Sequence, residues 1–124
     1  MKTAAAATGA VLGAVSLATV AHAGSSLDVR YRCDDGRVVE ASYPQGAPEQ
    51  GMTLTIAGRK IAFRTAMSAD GGRYLAVGGL HPHQLLEWWI KGDGATLSEG
   101  PAGEPADNAD KTIIATCKVV HRKS

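Results

Sequence analysis

The chain reads as an all-β domain, a small antiparallel barrel of about eight strands. Two observations predict this. Beyond residue 24 most ordered-looking runs alternate apolar with polar residues, as in Met52-Thr-Leu-Thr-Ile-Ala57, and no segment there sustains a period near 3.6. The 15 glycines among 124 residues fall mostly between those runs, where they punctuate turns. Short strands at this spacing form a sandwich or a barrel, and a closed barrel leaves no exposed edge.

The strands are expected in this order. Residues 28–33 alternate, and Asp34-Asp35-Gly36 turns the chain into residues 37–43. Residues 52–57 put Met52, Leu54 and Ile56 on one face. Gly58-Arg59 then leads into residues 60–66. Runs at 73–77 and 85–91 follow. Residues 95–98 make a short strand, and residues 112–120 close the domain. Between the last two, residues 100–110 form a turn-rich acidic loop in which Glu104, Asp107 and Asp110 could attract a basic partner. Residues 42–51, with Pro44, Gly46 and Pro48, form a second loop.

The N-terminus sets the compartment. Lys2 precedes an apolar run from Ala4 to Val20, and Ala21-His-Ala23 is a small-x-small cleavage site. Residues 1–23 therefore read as a secretory signal peptide and residues 24–124 as one exported domain. The apolar run is too short and too rich in Ala and Gly for a membrane anchor. No cysteine follows the cleavage site, so no lipid anchor is expected there. Removing Lys2 leaves Lys+Arg equal to Asp+Glu. That balance disfavours nucleic acid or an anionic membrane as partner.

Cys33 and Cys117 are the only cysteines. An even count in a small exported domain implies one disulfide, here tying the first strand to the last. No C-x-x-C pattern or third ligand suggests a redox or metal role. Catalytic patterns are also missing: there is no nucleophile elbow and no phosphate-binding glycine loop. His81-Pro82-His83 with Glu87 is the best metal candidate, but loop histidines in solvent are the better reading. No metal, no cofactor and no enzymatic activity are expected.

Two stretches carry the functional signal. Ser68-Ala-Asp-Gly-Gly-Arg-Tyr74 is a glycine-rich turn running into an aromatic residue. Trp89-Ile-Lys-Gly92 places a lysine where a strand enters a tight turn, and Gly92 permits the sharp bend. On a strand, Leu86, Trp88 and Ile90 share one face while Glu87, Trp89 and Lys91 share the other. The pattern buries Trp88 and leaves Trp89 near the surface beside Lys91.

Together with Tyr31-Arg-Cys33, Gly36, Ala95-Thr-Leu97 and Cys117, these stretches resemble the C-type lysozyme inhibitor family (MliC and PliC), in its periplasmic branch. The resemblance implies an eight-stranded antiparallel barrel with a cysteine near each end, located in the periplasm. It also implies a C-type lysozyme as protein partner. In the family, the lysine of Trp-x-Lys-Gly and a serine of the Ser-Gly-Ser/Thr-x-x-Tyr motif enter the lysozyme active site. Carried over, Lys91 is the inhibitory lysine, Ser68 aligns with the first serine and Asp70 with the second. Tyr74 and Trp89 support the loop, and Arg73 and Gly92 complete the expected partner-binding set. Ala69 replaces the motif glycine and Asp70 its inserted serine. An aspartate facing carboxylates is repelled or must bind a proton. The span from Tyr74 to Trp89 is longer than the family's, and its insertion, Gly78 to His83, is expected beside the site. The alternative is a binding module on the same barrel, for a small ligand or another protein, without lysozyme inhibition.

Overall fold

The computed structural model describes residues 25–46, 50–102 and 110–123. The expected signal peptide, Pro48, Glu104 and Asp107 lie outside these residues. Eight strands follow in order: β1 (Ser26–Cys33), β2 (Val38–Pro44), β3 (Met52–Ile56), β4 (Arg59–Ala66), β5 (Gly72–Val77), β6 (Gln84–Lys91), β7 (Gly94–Pro101) and β8 (Thr112–Lys123). Each pairs antiparallel with the next, and β8 returns to β1, so the sheet closes into a barrel. The all-β barrel expected from the alternation is the fold observed.

Two strands are longer by three residues or more than the sequence pattern suggested. β7 was expected at residues 95–98 only. Its ladder with β6 continues from Lys91 opposite Gly94 to Gln84 opposite Pro101, because cross-strand bonds hold residues whose own propensity for a strand is low. β8 likewise extends past Val120, since β1 pairs with it as far as Asp28 opposite Lys123. Register shifts at Arg30/Tyr31 and at Leu97/Ser98 mark irregularities where β8 meets its two neighbours.

The alternation decides what fills the interior. Val29 and Tyr31 from β1, Leu54 from β3, Leu86 and Trp88 from β6, and Leu97 from β7 belong to one buried cluster. Trp88 has no exposed surface. Its indole N–H donates to the Tyr43 hydroxyl at 2.9 Å, and that hydroxyl bonds Tyr31 Oη at 2.9 Å. The Tyr31 ring meets Trp88 edge-on, with centroids 5.0 Å apart. Polar atoms that would be costly to bury alone therefore satisfy one another.

A second buried layer lies on the outward side of β5 and β6. Leu75 and Leu85 are wholly buried there, and Glu87 is nearly so. Arg73 Nε pairs with Glu87 at 2.5 Å, and Lys111 Nζ approaches the same carboxylate at 3.9 Å. The backbone at Asp110 runs so close over Gly100 that a side chain there would collide with it. Asp110 and Lys111, just ahead of β8, thus lie over the outer face of the sheet.

Cys33 and Cys117 face each other across the β1–β8 register and form the disulfide, 84 residues apart in sequence. A loop of that length is worth about 4 kcal/mol in the chain-entropy description. The bond closes the barrel where its first and last strands meet.

All three tyrosines sit in or against the core, and burial pushes each phenol above its ordinary value; a hydrogen bond from Trp88 opposes this only partly at Tyr43. A raised folded-state pKa means that the folded chain holds the phenol protons more tightly. That contribution is complete below about pH 10 and is lost as pH rises beyond it. Absorbance titration should show the phenols of the folded protein ionising at higher pH than those of the unfolded chain. Three phenols titrating freely near their ordinary value would contradict the packing described.

Candidate functional site: the Lys91 hairpin

The register of β5 against β6 builds the site. Gly72 faces Ile90, Arg73 faces Trp89 and Tyr74 faces Trp88. Residues 67–71, which join β4 to β5, therefore leave the sheet beside Lys91. The β6–β7 turn, Gly92-Asp93, opens at the same end of the barrel. Gly92 has φ +59°, so the left-handed turn after Lys91 is relieved by glycine.

The 68–71 loop is pinned from several directions. Ser68 Oγ accepts the Asp70 N–H at 3.2 Å and donates to the Asp70 carbonyl at 2.5 Å. The Trp89 indole N–H donates to that same carbonyl at 2.8 Å. Gly71 follows at φ +70°, so close to β6 that an added Cβ would stand 2.0 Å from the Ile90 carbonyl oxygen. The loop thus lies flat on the end of β6.

Lys91 occupies the tip. Its ammonium lies 4.6 Å from the centre of the Trp89 ring, and Arg73 lies 5.5 Å from the same ring. Asp70 Oδ2 is 3.6 Å from Lys91 Nζ, with both side chains largely exposed. Asp93, on the turn, binds Arg122 of β8 at 2.7 Å, and its carbonyl accepts the Val119 N–H at 2.9 Å. The Arg122 hydrogen bond holds the Asp93 carboxyl below its usual value. The hairpin is therefore tied on one side to the 68–71 loop and on the other to β8.

Of the residues singled out in the sequence, Ser68, Asp70, Trp89, Lys91 and Gly92 come together at this end. Arg73 lies beneath them, engaged by Glu87 and donating to the Met67 carbonyl at 3.2 Å. Tyr74 points inward, its ring 6.0 Å from that of Tyr43. Trp88 is buried and Trp89 half-exposed, as the alternation required.

One expectation is corrected. The insertion from Gly78 to His83 does not lie beside the site. It is the β5–β6 connection, and the antiparallel hairpin puts that connection at the opposite end of β6 from Lys91. There His81 Nδ1 bonds Glu99 at 2.7 Å, and Arg59 reaches the Leu80 carbonyl at 3.4 Å. Glu87 is held by Arg73 and Lys111, remote from the two histidines in its bonding. Among the described residues no group of three or more His, Cys, Asp or Glu could hold a metal ion.

The contacts of Asp70 with Lys91, Arg73 with Glu87 and Asp93 with Arg122 were not anticipated from sequence. The first two become visible only when β5 is laid against β6 in register. The third needs the β7–β8 pairing.

Fold and site together define a class: a disulfide-closed β-barrel with a packed centre and a braced, lysine-tipped hairpin at one end. Residues 31–105 match the family described as membrane-bound lysozyme-inhibitor of c-type lysozyme, and this chain belongs to that family. The match takes in both the 68–74 stretch and the Trp89–Gly92 stretch, while β8 with Cys117 lies beyond it. A protein of Cupriavidus necator (strain H16) named membrane-bound lysozyme inhibitor of C-type lysozyme is 32% identical over 90 residues. The aligned part covers 73% of this chain and 63% of that relative, so the chain spans less than two thirds of the relative's length. No solved structure matches.

The close approach at Gly71 makes a sharp prediction. Gly71→Ala adds a methyl at a positive φ against a backbone oxygen and should cost about 1–3 kcal/mol. Denaturant unfolding should show that loss, whereas Gly58→Ala, at φ +80° but with open space around it, should cost less. Equal losses at both positions would mean that the 68–71 loop is not packed on β6 as described.

Proposed function

We propose that this chain is an exported inhibitor of C-type lysozyme that inserts Lys91 into the active-site cleft. Lysozyme cleaves its glycan with two carboxyl groups, one an acid and the other a nucleophile or stabiliser. An ammonium held between them would occupy the space of the scissile bond and fix both groups in their charged forms. Lysine suits this as a compact charge with three donors. The observation carrying the reading is that Lys91 projects from a hairpin tied on both sides, so little order has to be created on binding. Family membership supports it, since the family's description names C-type lysozyme inhibition.

Residues 1–23 are proposed to direct export, and residues 24–124 to act in the periplasm as a non-enzymatic protein. An oxidised Cys33–Cys117 pair fits that compartment. The binding-module alternative gains less support. Trp88, Leu54, Leu86 and Leu97 fill the barrel centre without exposed surface. The cavity of about 340 Å³ at the Lys91 end is lined by Tyr31, Tyr43, Tyr74, Ile90 and Gly92 among others and stops short of that centre.

Lys91→Ala tests the proposal. The side chain is mostly exposed, so folding stability should change little. Loss of a charge buried at an interface typically costs about 2–5 kcal/mol, so inhibition of cell-wall lysis should weaken by about 30-fold or more. An alanine variant that inhibits as well as the parent would contradict the proposal.

A further inference from the structure

The charges around Lys91 form a pattern that a simple cation tip would not need. Asp70 Oδ2 stands 3.6 Å from the ammonium, and the Asp70 side chain is 72% exposed. The backbone at Asp70 is fixed. Ser68 takes its N–H, Trp89 binds its carbonyl, and Gly71 locks the next residue against β6. A partner that meets Lys91 therefore also meets the Asp70 carboxylate. A second acid, Asp93, stands on the turn two residues beyond Lys91, bonded to Arg122.

A cleft lined with carboxylates alone would be attracted by Lys91 and repelled by Asp70 to a similar degree, since the two charges are neighbours. The arrangement is complementary instead to a surface where a carboxylate and a cation stand side by side. The exposed Lys91–Asp70 pair is of the weak kind, so exchanging each partner for one on the target is easy. We infer that Asp70 is a specificity-determining residue. It selects lysozymes whose cleft wall carries a basic side chain next to the catalytic carboxylates: that side chain takes Asp70 while a carboxylate takes Lys91. The inference rests on the Lys91 reading above, and a mismatched cleft is rejected by the aspartate itself.

The test is titration calorimetry of the full exported protein with a C-type lysozyme whose cleft wall carries basic side chains beside the catalytic carboxylates, and with variants of that lysozyme, each lacking one of those basic side chains. Asp70→Asn keeps the shape and the backbone bonds of the loop and removes only the charge. It should weaken binding about tenfold, and one lysozyme variant should show the same loss without adding to it. Affinity that is unchanged or tighter in Asp70→Asn, or coupling to none of the lysozyme variants, would overturn the inference. Lys91→Ala, measured alongside, separates the failures. If it still weakens binding, the Lys91 reading survives without the Asp70 selectivity. If it binds as tightly as the parent, or if the parent does not bind, both readings fall.

Discussion

Everything at the exposed end of this barrel depends on the burial of Trp88. The side chain is the largest wholly buried group among the described residues, and its indole N–H is satisfied only by the Tyr43 hydroxyl. Removing it from that slot would expose a large apolar surface and take from the Tyr43 hydroxyl one of its two hydrogen-bond partners. Strand geometry then leaves no choice for its neighbours. If Trp88 points in, Trp89 and Lys91 point out, and a slip of one residue would exchange them. The core therefore fixes which side of β6 presents the cation.

The second step is rigidity. Trp89 is placed outward by Trp88, and it uses its own N–H to hold the Asp70 carbonyl. Two chain segments far apart in sequence, 68–71 and 89–92, become one surface. The Asp93 contacts with Arg122 and Val119 brace the other side of the turn, and the Cys33–Cys117 disulfide holds β8 to β1 behind it. A partner meeting this surface need not order it first, which in the function proposed above is what lets a single lysine suffice.

The elements visible in the sequence were those governed by local pattern. Strict alternation located β3, the cysteine pair announced the closure of β1 on β8, and the split roles of Trp88 and Trp89 followed from period two. What stayed hidden depends on register between strands. The alternation gave no sign that Glu87, on an outward face, would be buried beneath Arg73 and Lys111, nor that Leu75 and Leu85 would form a buried layer outside the barrel. The loop at Gly78–His83 was placed beside Lys91 on sequence proximity, and the antiparallel pairing of β5 with β6 carries it to the far end. Asp70 reads in isolation as an obstacle to an acidic partner. Set 3.6 Å from Lys91 it becomes half of a charge pair.

The central claim is that Lys91 acts inside the catalytic cleft of a C-type lysozyme. Its most direct test is inhibition kinetics with a soluble oligosaccharide substrate that fills the cleft. The account predicts competitive behaviour, with inhibition relieved as substrate concentration rises and the maximal rate unchanged. A lowered maximal rate that substrate cannot restore would place the contact outside the cleft and contradict the account.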